Sequence, residues 1–131
     1  MRKFVQNKLW RDKAPELMEN TGSKIHIKEL SDTEYKAVLI DKLFEEVAEI
    51  KAAAEKEEIT EEIADVLEVI DAICKINNIN YSDIKNCKQE KFSSRGGFYN
   101  RKYVTIAEHK PNSFGEEYCL NQPEKYPEVT N

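Results

Sequence analysis

Apolar residues recur at intervals of three and four along two long stretches of the chain. In the first stretch, up to about Lys56, they are Leu39, Leu43, Val47, Ile50 and Ala54. In the second, up to about Ile76, they are Ile63, Val66, Leu67, Ile70, Ile73 and Cys74. Residues with this spacing share one face of an α-helix, so each stretch predicts an amphipathic helix with a core-facing stripe.

Breakers and capping residues predict where the helices begin and end. Proline does not occur between positions 15 and 111, and glycine does not occur from 23 to 95. Pro15 and Gly22 bound a short first helix. Ser31-Asp32-Thr33-Glu34 is a capping-box pattern that starts the first long helix. Thr60 is the expected cap of the second long helix, and Ser82 that of a further helix to about Ser93.

Arg95-Gly96-Gly97-Phe98 is expected to end this helix, and the character of the chain changes after Tyr99. Tyr103-Val104-Thr105-Ile106-Ala107 is expected to be a short strand or an extended arm. Three of the four prolines lie from Pro111 onward, which predicts an extended tail. The sequence therefore predicts an all-α helical bundle with a short N-terminal segment and an extended C-terminal tail. We expect one domain over residues 1–110 and the tail over residues 111–131.

Charge and cysteine content exclude several classes of protein. The net charge is −5, whereas a general binder of nucleic acid polymers is usually basic. No apolar run approaches the roughly 18 residues that span a bilayer, and the N-terminus has no apolar core of a secretion signal. The three cysteines include no C-x-x-C pair, so a disulfide framework and a cysteine zinc site are not expected. We expect a cytoplasmic protein with reduced thiols.

Two acidic pairs occupy corresponding places on the two long helices. Glu45-Glu46-x-x-Glu49 lies on the first and Glu62-x-x-Asp65 on the second. Residues three apart are neighbours on a helix surface, and both pairs flank the apolar stripe of their helix. Packed helices would bring the carboxylates together, and their mutual repulsion would favour a hard divalent cation such as Mg²⁺.

A different class of function fits the same residues. Glutamate is a good helix former, and acidic runs are most often solvated faces. Lys42 is spaced to form ordinary surface pairs with Glu45 and Glu46. In this alternative the chain is a non-catalytic helical module for oligomerisation or adaptor binding, and the acids only keep it in solution.

Three segments in order resemble a known family. The acidic pattern E-E-x-x-E followed by E-x-x-D, here Glu45 to Asp65, is the motif of MazG-like nucleoside triphosphate pyrophosphohydrolases. Residues 7–16, N-K-L-W-R-D-K-A-P-E, resemble the opening of the phosphoribosyl-ATP pyrophosphohydrolase-like branch. Residues 91–98, K-F-S-S-R-G-G-F, resemble its ending. The resemblance spans roughly residues 7–106. The chain departs from it at Trp10, where a smaller aliphatic residue is usual, and at Ala14, which replaces isoleucine.

The resemblance implies a MazG-like all-α fold that assembles as a homodimer or homotetramer. It implies Mg²⁺-dependent cleavage, with Mn²⁺ as an alternative ion, between the α- and β-phosphates of a nucleoside triphosphate. By position, the metal ligands would be Glu46, Glu49, Glu62 and Asp65. Glu45 would assist a second ion or the attacking water. An alarmone or a phosphoribosyl nucleotide remains an alternative substrate.

Basic residues near both ends of the resemblance are candidates for binding phosphate. They are Lys8, Arg11, Lys13, Lys91 and Arg95. A triphosphate is strongly anionic and the chain is net negative, so local cations have to hold it. The amides of Gly96 and Gly97 suit an anion at a turn. Each of these residues is equally explained as a solvated charge or a helix cap, and Trp10 and Tyr35 would either stack on a base or pack in the core.

Overall fold

The computed structural model describes residues 1–130, and in this range it contains five helices and no strand. The helices are α1 (Ala14–Glu19), α2 (Asp32–Ala52), α3 (Lys56–Ile76), α4 (Tyr81–Arg95) and α5 (Phe114–Leu120). The all-α prediction is therefore confirmed at the level of secondary structure. Two compact units make up the chain: Met1–Lys91 and a second unit that begins at Phe92, within α4. The domain boundary predicted at residue 110 stays a prediction.

The capping box that begins α2 is formed as predicted. The Ser31 Oγ accepts a hydrogen bond from the Glu34 backbone N–H at 3.2 Å, and Glu34 Oε1 accepts one from the Ser31 N–H at 3.2 Å. Two of the N–H groups at the helix start are satisfied in this way, a contribution of about 1 kcal/mol. Lys28 Nζ donates to the other oxygen of Glu34 at 2.8 Å, which fixes the chain entering the helix.

The predicted start of α3 is wrong. The helix begins at Lys56, after an extended Glu55 that offers no side-chain cap, so Thr60 lies inside the first turns. The Thr60 hydroxyl donates to the Lys56 carbonyl at 2.7 Å, a bond within the helix and not a cap. Glu57 and Glu58 lie in the first turn, where negative charge is favourable at the positive end of the helix dipole.

α2 and α3 pack against each other and form the centre of the first unit. Only residues 53–55 connect them, so the two helices make an antiparallel αα-hairpin. The apolar side chains buried in the described part of the chain are Leu39, Val69 and Cys74. The predicted stripes are thus only partly covered. Val47, Ile63 and Leu67 remain about half exposed, and Phe44 is 70% exposed.

The second unit contains an irregular segment followed by α5. Tyr103–Ala107 form no strand, so this segment is the extended arm of the two predicted alternatives. The extended tail predicted from Pro111 is wrong for Phe114–Leu120, which form α5. Ser113 caps that helix by accepting a hydrogen bond from the Glu116 N–H at 3.4 Å. The rings of Phe114, Tyr118 and Tyr126 then pack in series, with centroids 5.9 and 5.6 Å apart, and they hold the following residues against the helix.

No helix within residues 1–130 combines the length and the apolar character that crossing a membrane requires.

Candidate metal centre

Three carboxylates converge where α2 and α3 pack. Glu46 projects from α2, and Glu62 and Asp65 project from successive turns of α3. One oxygen of each lies within 4.8 Å of the others. Glu46 is buried, and the other two are half-buried. We call these three residues the acidic triad.

The acidic triad carries an electrostatic cost in the protein alone. Partial burial raises the pKa of Glu62 above its ordinary value of 4.5, and the negative charges of Asp65, Glu46 and Glu49 raise it further. A hydrogen bond with Glu46 favours the protonated form as well. A divalent cation held by the same oxygens would remove this repulsion. The donor set therefore fits Mg²⁺ or Mn²⁺, both of which prefer carboxylate oxygens.

Basic side chains partly neutralise the acids. Arg11 Nη2 donates to Asp65 Oδ1 at 2.6 Å, and this ion pair raises the pKa of Arg11. Lys42 Nζ lies 3.2 Å from Glu46 Oε1 and 3.5 Å from Glu45 Oε1. Lys8 Nζ lies 3.3 Å from the same Glu45 oxygen. The N-terminal segment is thus tied to α2 through Lys8 and to α3 through Arg11.

The other predicted site residues are not part of the acidic triad. Glu49 is exposed and outside the set of converging oxygens, although its charge acts on Glu62. Its role as a metal ligand stays a prediction. Lys13 is exposed at the N-cap position of α1. Lys91 ends the first unit and Arg95 ends α4 in the second, both with exposed side chains. Phosphate binding by these three cations also stays a prediction.

An open groove of about 300 Å³ adjoins the acidic triad. The N-terminal segment forms one wall and the α2–α3 hairpin the other, and Glu46 and Asp65 belong to both the groove and the triad. The remaining lining residues are Leu9, Trp10, Arg11, Ala14, Lys42, Glu68 and Val69. Lys42 and Glu68 were not among the predicted site residues. Their spacing was a usable signal, because Lys42 lies four residues before Glu46 and Glu68 lies three after Asp65.

Comparisons of the chain with models of protein families, with curated proteins and with solved structures give no match. The likeness to MazG-like enzymes therefore rests on the three sequence segments alone. What the geometry adds is independent of that likeness: carboxylates from two helices meet beside a groove that also carries Arg11 and Lys42.

Neutralising one acid of the triad is expected to stabilise the metal-free protein. Because the folded-state pKa of Glu62 is raised, its contribution to folding stability is complete below about pH 4.5 and is lost as the pH rises through the raised value. Glu62→Gln should therefore raise the melting temperature at neutral pH in the presence of a chelator. The gain over wild type should vanish on acidification below about pH 4.5.

Glu61→Gln is the matched control, because Glu61 is the exposed neighbour of Glu62 and lies outside the acidic triad. It should leave the melting temperature unchanged. A Glu62→Gln protein that melts lower than wild type at neutral pH would show that the ionised carboxylate stabilises the fold.

Proposed function

We propose that this chain is a Mg²⁺-dependent nucleotide pyrophosphohydrolase of the MazG-like type. It would cleave a nucleoside triphosphate between the α- and β-phosphates and release a monophosphate and pyrophosphate. The observation that carries the proposal is the convergence of Glu46, Glu62 and Asp65 within 4.8 Å, beside a groove with two cationic side chains. The reaction is inferred from the sequence likeness, and the acidic triad is the proposed metal site.

In this proposal the acids hold the ion, and catalysis comes mainly from the neutralisation of charge on the phosphates. Glu46, Glu62 and Asp65 provide oxygen ligands, and Glu49 joins them from the turn after Glu46. Bound there, Mg²⁺ would polarise a phosphoryl oxygen and lower the pKa of a coordinated water. Water would add to the α-phosphorus and lose a proton to solvent, while the bond from that phosphorus to the bridging oxygen breaks and pyrophosphate leaves. Glu45, on the same helix as Glu46, would orient that water.

The cations have two successive roles. Without substrate, Arg11 and Lys42 neutralise Asp65 and Glu46. When a metal takes over those carboxylates, both cations lose part of their attraction and become available to phosphate oxygens. Lys8, paired with Glu45 at 3.3 Å, is a further cation of the N-terminal segment that would contact a phosphate oxygen. Lys13 and Lys91 belong to the same unit as the acidic triad and would add further cations for a triphosphate.

Removing one carboxylate of the acidic triad should abolish most of the activity. Asp65→Asn and Glu46→Gln are each expected to lower kcat by about 100-fold or more, since several kcal/mol of transition-state stabilisation is lost with the ion. The measurement is pyrophosphate release from a panel of NTPs and dNTPs with Mg²⁺. The panel should include an alarmone and a phosphoribosyl nucleotide, because the same site could act on either.

Glu57→Gln, in the exposed first turn of α3, is the matched control and should retain wild-type activity. Two results would contradict the proposal: no pyrophosphate from any substrate at high protein concentration, or full activity in Asp65→Asn.

We also propose that the chain assembles as a homodimer or homotetramer through the α2–α3 hairpin. Phe44 and Leu67 are more than half exposed, on the two helices that the sequence pattern marks as amphipathic. Such apolar positions on neighbouring helices are typical of a surface that a partner covers. This observation equally favours the adaptor alternative, in which the surface is the whole function.

Phe44→Glu is expected to convert the assembly to monomers, because it places a charge at the most exposed of these positions. Light scattering after size exclusion measures the mass. Glu57→Gln again serves as the control. A wild-type protein that is already monomeric at high concentration would contradict the proposed assembly. An assembly with the same melting temperature in the presence and absence of Mg²⁺ would favour the adaptor alternative.

A further inference from the structure

Trp10 is the single tryptophan of the chain, and it lines the groove beside the acidic triad. Its side chain is half-buried, so part of the indole faces the open space of the groove. Leu9, Ala14 and Val69 supply the other apolar lining. An aromatic ring at the wall of a partly apolar groove can bind a flat, weakly polar group by stacking.

The groove and the acidic triad are continuous, because Glu46 and Asp65 belong to both. In a nucleotide, a single sugar separates the base from the first phosphate. A nucleotide whose phosphates lie at the acids therefore has its base within reach of the groove. The volume of about 300 Å³ is at the lower end of small-ligand pockets and is sufficient for a base.

We propose that Trp10 is the stacking platform for the nucleobase and that Glu68 selects guanine over uracil. This inference rests on the proposed nucleotide site and deepens it by naming the base. Stacking on an aromatic ring is tolerant of base identity, since every base has a π face. A preference has to come from a polar group at the edge of the base.

Glu68 is the exposed carboxylate of the groove, and no salt bridge among the described residues includes it, although its charge contributes to the raised pKa of Arg11. Glu46 is paired with Lys42, and Asp65 with Arg11. An ionised carboxylate accepts hydrogen bonds and donates none. Guanine presents two adjacent N–H donors on one edge, which match the two oxygens of a carboxylate. Uracil flanks its single N–H with carbonyl oxygens, which the carboxylate repels.

Core packing is the competing explanation for Trp10. In that case the ring fills space between the N-terminal segment and the hairpin, and no ligand touches it. The two explanations differ in what a bound base does to the indole, so a binding measurement separates them without any turnover.

The test is a fluorescence titration of the wild-type protein with GMP, with UMP and with inorganic phosphate, each in the presence of Mg²⁺. Monophosphates contain no α–β bond, so no hydrolysis interferes. Because Trp10 is the only indole, any change in indole emission reports on the groove. Saturable quenching by GMP is expected, with UMP about tenfold weaker or more, and no quenching by phosphate.

Calorimetric titrations of variants provide the second arm. Trp10→Leu should weaken GMP binding about tenfold or more, whereas Trp10→Phe should stay within a fewfold of wild type because it keeps a ring. Glu68→Gln should bring GMP and UMP to similar affinity. Tyr81→Leu removes an exposed ring on α4 outside the groove and should change neither affinity. Circular dichroism checks that each variant is folded.

Indole emission that is indifferent to GMP, or wild-type GMP affinity in folded Trp10→Leu, would overturn the stacking role. An unchanged preference for GMP over UMP in Glu68→Gln would overturn the selection. If Trp10→Leu does not fold, the titration of the wild-type protein still tests the stacking role, and the Glu68→Gln variant still tests the selection of guanine. Pyrophosphate release with no dependence on Trp10 would refute this inference alone. Base-dependent quenching without cleavage of any nucleotide would refute the proposed reaction alone.

Discussion

The packing of α2 on α3 brings carboxylates of like charge together, and basic side chains of the first unit pair with two of them. The backbone positions of Glu46, Glu62 and Asp65 are fixed on α2 and α3, so their side chains share one region of the helix interface. Partial burial raises the pKa of Glu62 and the neighbouring negative charges raise it further, so ionising this carboxyl group costs free energy in the protein alone. Replacing Glu62 with a neutral residue would remove that cost from the metal-free protein.

Acidic side chains of α2 and α3 also explain how the N-terminal segment is held. Residues 1–13 form no regular structure, yet Lys8 and Arg11 tie them to Glu45 and Asp65. Each pair is largely open to solvent and contributes between zero and about 1 kcal/mol. A cation or a phosphate can therefore compete for the charges of these pairs. The same segment contributes Leu9, Trp10 and Arg11 to the lining of the groove.

Local features of the fold were predictable from sequence because local interactions determine them. Ser31 and Glu34 form their capping box within four residues, and the stripes of α2 and α3 follow from helical spacing. Thr60 was misassigned because an extended Glu55 serves as the N-cap without any side-chain bond. The helix α5 was missed because prolines flank it and its apolar pattern is short. Ser113 was the signal for it.

The site was predictable only in part, for a physical reason. Spacing within one helix identified the acids, so Glu46, Glu62 and Asp65 were found. Whether Glu49 converges with them depends on the rotation of α2 against α3, which no local pattern fixes. The groove joins Trp10 to Glu68 across 58 positions of the chain, and only the tertiary path of the N-terminal segment brings them together.

Calorimetric titration of the metal-free protein with Mg²⁺ tests the central claim most directly, because it asks whether the acidic triad binds a cation before any substrate is involved. The account predicts saturable binding in wild type and in Glu57→Gln, and its loss in Glu46→Gln and in Asp65→Asn. Absence of binding in the wild-type protein, or binding that survives both substitutions, would contradict it.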